Sequence, residues 1–227
     1  MSKNLIRGRA LASMLFSLVT LTAAAAEPLK VGFVYVSPVG QAGWTYQHEL
    51  GRQAMQRALG DRVESSFVEA VPEGADAERV MRDLAAQGHG LIFATSFGYL
   101  EPALRVAAEF PGVKFEHAGG YKTAANLATY NARFYEGRWL AGWLAGKTSK
   151  SGVAGYVAGF PVPEVVQGIN AFTLGMREAN PAATVRVLWL NTWFDPPKER
   201  EAALALVNAG ADVLTGDGAR LDFDRSS

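Results

Sequence analysis

The sequence predicts an α/β protein whose parallel sheets are flanked by helices and divided between two lobes, the second of them incomplete. The first observation is an alternation of short apolar runs with segments of helical spacing, which is typical of parallel α/β folds. The second is that this alternation restarts after a small polar stretch at 148–152. The third is that only three strands and two helices follow the restart, which is little material for a separate core.

The first lobe is predicted over 27–148 and contains five strands and four helices. Its first strand, 29–36, is a short apolar run rich in β-branched and aromatic residues, as in a buried parallel sheet. The other strands span 62–69, 90–95, 113–117 and 127–131. Its helices span 42–59, 75–87, 99–110 and 134–147. Val80 and Leu84 recur at helical spacing in the second helix, and Gly60, Gly88 and Pro111 end the first three helices.

The fourth helix combines aromatic and small residues on one face. The residues of this face are Tyr135, Trp139, Gly142, Trp143 and Gly146. Because a face of this kind is usually a packing surface, we predict that Trp139 and Trp143 lie in the core.

The partial second lobe is predicted over 149–215. Its strands span 153–158, 184–190 and 212–215, and its helices span 164–179 and 197–209. Pro163 stands beside the start of the first of these helices, and Asn180 and Pro181 follow its end. Residues 216–227 have neither strand nor helix spacing and are predicted to be a tail, so the chain is expected to be cut short at its C-terminal end.

The first 26 residues have the layout of a secretory signal peptide. Three positive charges, Lys3, Arg7 and Arg9, precede an uncharged apolar run over 10–23, and Ala24–Ala26 supply the small residues of a cleavage site. A membrane anchor is the alternative, but the run is shorter than the ~20 residues that a span requires. Removal of 1–26 takes away three positive charges and no acids, which changes the net charge from 0 to −3.

Composition and missing motifs exclude several chemistries. The chain has no Cys, which rules out disulfides, thiolate catalysis, Cys-bound metals and lipid attachment through an N-terminal Cys. Its charge gives no basic footprint for nucleic acid. After His48-Glu49, the second ligand position of a zinc HExxH motif is occupied by Arg52. Glycine-rich dinucleotide or phosphate loops and nucleophile elbows do not occur, so we predict no cofactor and no enzymatic activity.

Aromatic and polar residues follow the ends of several predicted strands, where open α/β sheets bind their ligands. The candidates for ligand contact are Trp44, Tyr46, Phe97, Asn131, Phe160, Trp193, Phe194 and Asp195. Rings from two lobes that face a cleft suit a flat polar ligand such as a nucleobase, whose stacking contributes roughly 1–3 kcal/mol. Asp and Asn would read its hydrogen-bonding edge. The alternative is that these aromatic residues pack loops and lobes together.

Five long segments resemble the basic membrane protein family of ABC-transporter substrate-binding proteins, which includes purine nucleoside receptors. The segments are KVGFVYVSPVGQAGWTYQHELGR (30–52), LIFATSFGYLEP (91–102), ATYNARFYEGRWLAGWLAG (128–146), GYVAGFPVPEVVQGINAFTLGMREANP (155–181) and LNTWFDPPKEREAALALVNAGADVLT (190–215). They stand in the order of the family and run from Leu29 to about Thr215. The resemblance implies the periplasmic-binding-protein fold (type I-like), in which two hinged lobes close on a ligand.

The resemblance also implies roles for single residues. Trp44 stands where the family has a Phe beside the base, and Phe97 falls on the first-lobe wall of the cleft. Trp193 or Phe194 falls where the second lobe supplies its stacking ring, with Asp195 beside it. The Asp-Asn pair of nucleoside-binding members is missing from 37–46, which favours a free base over a nucleoside.

The leading hypothesis is therefore a monomeric periplasmic receptor that delivers a purine base or nucleoside to an ABC permease in the inner membrane. Because no Cys is present to carry a lipid, it is expected to diffuse freely. Three alternatives stay open: a ligand-sensing domain for a membrane signalling protein, an enzyme on a nucleoside-handling α/β fold, and a non-functional truncated remnant. Family members continue well past Thr215.

Overall fold

Residues 27–217, the part of the chain that the computed structural model describes, form eight strands and six α-helices, and a helix separates successive strands except the fourth and fifth. The strands are β1 Leu29–Val34, β2 Val63–Val68, β3 Leu91–Ala94, β4 Lys114–Ala118, β5 Leu127–Tyr130, β6 Val153–Ala158, β7 Thr184–Trp189 and β8 Val213–Gly216. The helices are α1 Gly43–Leu59, α2 Ala75–Ala86, α3 Leu100–Glu109, α4 Phe134–Thr148, α5 Pro163–Ala179 and α6 Pro196–Asn208. The bounds of every predicted element are confirmed to within two residues.

The strands form two separate sheets, each wholly parallel, and we call each sheet with its helices a lobe. The first sheet has the order β2-β1-β3-β4-β5, and the second has the order β7-β6-β8. In both sheets the first strand along the chain is flanked by the second on one side and the third on the other. This reversal of strand order creates a switch point at the carboxyl ends of the strands, where such sheets bind ligands.

Helices cover both faces of the first sheet, which explains why its central strands β1 and β3 are largely apolar. On one face, Val34 and Ile92 pack with Met81 of α2 and Val106 of α3. On the other face, Val31, Phe33 and Tyr35 pack towards Met55 and Leu59 of α1. The second sheet is covered in the same way, with α4 and α5 on one face and α6 on the other.

The helix α4 packs against α5 at a very short distance because glycines line the contact. A Cβ atom placed on Gly142 would lie 2.0 Å from the carbonyl oxygen of Phe172, and one on Gly175 would lie 2.0 Å from that of Trp139. The prediction that Trp139 and Trp143 lie in the core is wrong: they keep 37% and 40% of their surface exposed. The glycines take up the contact, and the backbone atoms of Trp139 and Trp143, not their exposed rings, face Gly175.

This packing also corrects the predicted boundary between the lobes. Ala145 of α4 belongs to the same core cluster as Tyr156 of β6 and Met176 of α5, so α4 is part of the second lobe. The loop at 149–152 is likewise held to that lobe, because the Asp212 carboxylate accepts hydrogen bonds from the backbone N–H groups of Lys150 and Ser151. The chain crosses between the lobes near 131–133 instead of near 148.

The strand β8 includes Gly216, which was predicted to be the first residue of the tail. The backbone N–H of Asp217 then donates to the carbonyl oxygen of Val157, at 3.2 Å. Residues 218–227 of the predicted tail and the predicted signal peptide at 1–26 lie outside the described residues. Within 27–217, no helix combines the length and the apolar character that a membrane span requires.

Candidate ligand-binding cleft

A cleft of about 1620 Å³ lies between the lobes, at the carboxyl ends of both sheets. The first lobe contributes Ser37 and Trp44 after β1, and Phe97 after β3. The second lobe contributes Trp193 after β7 and Asp217 after β8. Because typical pockets for small ligands measure roughly 300–1,000 Å³, the cleft has room for a small ligand.

Trp44 is fixed in the first turn of α1, on the first-lobe wall of the cleft. Its indole N–H, the one polar group of the ring, donates to the backbone carbonyl of Thr95 at the end of β3. Its ring centroid lies 4.7 Å from that of His48 and 5.9 Å from that of Phe134. The indole offers the cleft an apolar face with no donor left unpaired.

His48 connects Trp44 to the end of strand β5 in the first lobe. Its Nδ1 lies 3.0 Å from the carbonyl oxygen of Trp44, and its Nε2 lies 3.0 Å from the hydroxyl of Tyr130. Burial lowers the pKa of His48 below its usual value, so the ring is neutral at pH 7. A neutral ring protonated at Nδ1 donates to the Trp44 carbonyl and accepts from Tyr130, which satisfies both contacts.

Trp193 stands on the second-lobe wall and reaches across to the first lobe. Its ring packs edge-on against Phe160, with centroids 4.9 Å apart. Its indole N–H donates to the carboxylate of Glu73, at 2.9 Å. Both tryptophans of the cleft therefore use their single donor within the protein, and their ring faces are what they offer to a ligand.

Acidic groups of the second lobe supply hydrogen-bond acceptors in the cleft. The Asp217 Oδ1 accepts from Arg138, at 2.9 Å, and from the hydroxyl of Tyr156, at 2.7 Å. Its Oδ2 is buried and has no hydrogen-bond partner among the described residues. Burial raises the pKa of Asp217, against the opposing effects of Tyr156 and Arg138.

Glu164 is the second such acceptor, in the first turn of α5. Burial raises its pKa, the amide of Asn131 lowers it, and the charge of Asp217 raises it further. The Asn131 amide nitrogen lies 3.4 Å from its Oε2, which makes a long hydrogen bond between the lobes. Both residues line the cleft, and an ionised carboxylate is an acceptor of hydrogen bonds.

The cleft brings together five of the eight predicted contact residues. Trp44, Phe97, Asn131, Trp193 and Phe194 line it. Tyr46 and Phe160 are not among its lining residues, although Phe160 supports the Trp193 ring.

Asp195 does not line the cleft either, because its carboxylate caps α6. It accepts from the backbone N–H of Lys198, at 3.1 Å, and lies 3.2 Å from the Lys198 Nζ atom. These contacts lower the pKa of Asp195.

Several polar residues of the cleft are not among the predicted contacts, and His48, Glu164 and Asp217 are three of them. In the sequence, His48 is conspicuous only for its place in an incomplete metal motif, and nothing marks Glu164 beyond its position at the start of a predicted helix. Asp217 was assigned to the tail, although it directly follows a strand, which is the signal that marks the other contact residues. Within the described residues, no group of three His, Asp or Glu side chains is placed to hold a metal ion.

Two α/β lobes with a lined cleft at their switch points define a two-lobed ligand-binding protein. The model of the Bmp family, ABC transporter substrate-binding proteins that are PnrA-like, matches residues 29–220. The chain belongs to this family. The match ends past residue 215, where the resemblance was expected to stop.

Similar proteins agree with this membership. A purine-binding protein of Brucella abortus is 58% identical over 84% of this chain and 55% of its own length. A Haloferax volcanii protein, named as a candidate ABC transporter glucose-binding protein, is 45% identical over 83% of this chain and 48% of its own. The chain thus spans about half the length of these curated relatives. An ABC transporter solute-binding protein of Aeropyrum pernix shares the fold, with a TM-score of 0.74 at 23% identity, over 83% of this chain and 55% of that one.

Proposed function

We propose that the chain binds a purine base or nucleoside between its lobes, as the substrate-binding protein of an ABC importer. The observation that carries the proposal is the 58% identity to a purine-binding protein over 84% of the chain. The cleft supports it independently, since it offers aromatic faces and buried carboxylates.

The chemistry of the cleft fits a flat ligand that carries N–H donors. The faces of Trp44 and Phe97 on one wall and of Trp193 on the other suit a heteroaromatic ring, at roughly 1–3 kcal/mol per stacking contact. Asp217 and Glu164 then accept from amino and ring N–H groups. The Asp-Asn pair of nucleoside-binding members is missing from 37–46, which favours a free base.

The same role implies the location and the partner of the protein. A signal peptide over 1–26 would direct it to the periplasm, and a chain with no Cys carries no lipid there. The bound ligand would pass to a permease of the inner membrane. The protein would act as a monomer, without a cofactor, without nucleic acid and without chemical conversion of the ligand.

A sugar is the second candidate ligand. The 45% identity to a candidate glucose-binding protein favours it. Carboxylates that accept hydrogen bonds and aromatic rings that stack are also suited to sugar hydroxyls and C–H faces. A purine and a sugar differ in that only the purine has two aromatic faces for Trp44 and Trp193.

Isothermal titration of the purified protein with adenine, guanine, hypoxanthine, their nucleosides and glucose tests the proposal. We expect saturable binding of at least one purine, with no turnover, and weaker or no binding of glucose. Binding of glucose with none of the purines would overturn the purine assignment and support the sugar. Conversion of a nucleoside to base and sugar would overturn the assignment as a transport receptor.

A further inference from the structure

One carboxylate oxygen of Glu73 joins the two lobes. It accepts a hydrogen bond from the Ser96 hydroxyl, at 2.6 Å, and from the backbone N–H of Gly98, at 2.9 Å. The same oxygen accepts from the indole N–H of Trp193, at 2.9 Å. Two of these donors belong to the first lobe and the third belongs to the second.

The carboxylate of Glu73 is built into the turn that follows β3. A Cβ atom on Gly98 would lie 2.3 Å from the Glu73 carboxylate carbon, so a larger residue there would displace the carboxylate from this position. Ser96 is itself buried. Ser96 and Gly98 of the first lobe both donate to this carboxylate, so the first lobe positions it for the contact with Trp193.

The Trp193 ring is confined in a similar way from its own lobe. A Cβ atom on Gly159 would lie 2.8 Å from the benzene part of the ring, so the ring rests directly on that backbone. Phe160 packs edge-on beside it. The hydrogen bond to Glu73 then fixes the direction in which the indole N–H points.

We propose that Glu73 is a positioning residue, which orients the Trp193 ring across the cleft and makes its orientation depend on the approach of the two lobes. When the lobes move apart, the indole N–H exchanges this charged acceptor for water. When they meet, the ring is presented to the cleft in a fixed plane. This role makes Glu73 part of ligand recognition although its own oxygen is occupied by protein donors.

A double-mutant cycle on urea unfolding tests the contact without any ligand. Glu73→Ala removes the acceptor, and Trp193→Phe removes the donor but keeps an aromatic ring. Hydrogen bonds to charged groups are worth more than neutral ones, so we expect the two substitutions to be coupled by about ten-fold in the unfolding equilibrium constant. Glu69→Ala is the matched control, because Glu69 accepts from the backbone N–H of Val39 within the first lobe. Its coupling to Trp193→Phe should be absent.

A second arm measures the affinity for adenine, and it rests on the proposed function. Glu73→Ala should weaken binding about five- to thirty-fold in the unsubstituted protein and less than two-fold in the Trp193→Phe background. Glu73→Gln keeps a neutral acceptor and should recover most of the loss. Equal losses in both backgrounds, or no coupling in unfolding, would overturn the proposal. If no purine binds, the proposed function fails, while the unfolding cycle still decides the role of Glu73.

Discussion

Replacing Gly142 by alanine tests the glycine contact between α4 and α5, on which one wall of the cleft depends. The new Cβ atom would lie 2.0 Å from the carbonyl oxygen of Phe172 and 2.7 Å from its carbonyl carbon. An ordinary contact begins near 3.4 Å, so the helices must separate by about 1.4 Å, the difference between 3.4 and 2.0 Å. The obstacle is backbone and cannot rotate away as a side chain would.

The expected magnitude follows from two opposing effects. Overpacking a core costs about 1–3 kcal/mol, and a clash with backbone belongs at the upper end of that range. Alanine regains roughly 1 kcal/mol relative to glycine inside a helix. The net loss of unfolding free energy is therefore about 2 kcal/mol, and for a chain of this size the melting temperature should fall by about 4–8 °C.

Thermal unfolding followed by circular dichroism measures this effect, with Gly137→Ala as the matched control. Gly137 lies on the same helix, and a Cβ atom there meets nothing within 4 Å. That variant should gain about 1 kcal/mol and melt about 2–4 °C higher. Since Arg138 of α4 and Glu164 of α5 both line the cleft, Gly142→Ala should also weaken ligand binding. If Gly142→Ala melts at or above the unsubstituted protein, the close helix contact is not present and the reasoning fails.

Two further predictions concern the cleft and the first-lobe core. Trp44→Ala should weaken purine binding by roughly 1–3 kcal/mol in isothermal titration, because it removes one stacking face; unchanged affinity would exclude Trp44 from the site. Burial lowers the pKa of His117 to about 4, so the unfolded chain, with its pKa near 6.5, takes up the proton first on acidification. Stability should thus fall by about 3 kcal/mol from pH 6.5 to 4, and urea unfolding of His117→Leu should lack this component.

The strands and helices could be predicted because each one carries its own local signal. Buried parallel strands read as apolar runs, and glycine or proline punctuates the helices between them. The burial of α4 could not be read in the same way. Aromatic residues and glycines lie on one face of that helix, and large apolar side chains usually lie in the core, which is why the tryptophans were predicted there. The glycines at 142 and 146 were the informative signal, because two helices approach this closely only where a Cβ atom is missing.

The candidate site was predicted in part, and the errors have physical causes. Asp195 precedes two prolines, Pro196 and Pro197, a combination that is typical of a helix N-cap followed by the first helical positions. Its capping role was therefore available in the sequence. The role of Glu73 could not be predicted, because its hydrogen-bond donors lie 23, 25 and 120 positions away in the sequence and nothing local marks it.

The aromatic rings and the polar groups of this cleft contribute to recognition in different ways. Trp44 and Trp193 give their only donors to Thr95 and Glu73, so their rings supply contact area without reading the edge of a ligand. Directional recognition then depends on groups with free hydrogen-bonding capacity. The Oδ2 of Asp217 has such capacity, but it is buried, so a ligand reaches it only when the groups that cover it move aside. A buried oxygen without a partner costs free energy until a donor reaches it. Under the proposed function, purines that present an N–H group at that point gain affinity there, whereas those that present a lone pair are disfavoured by repulsion.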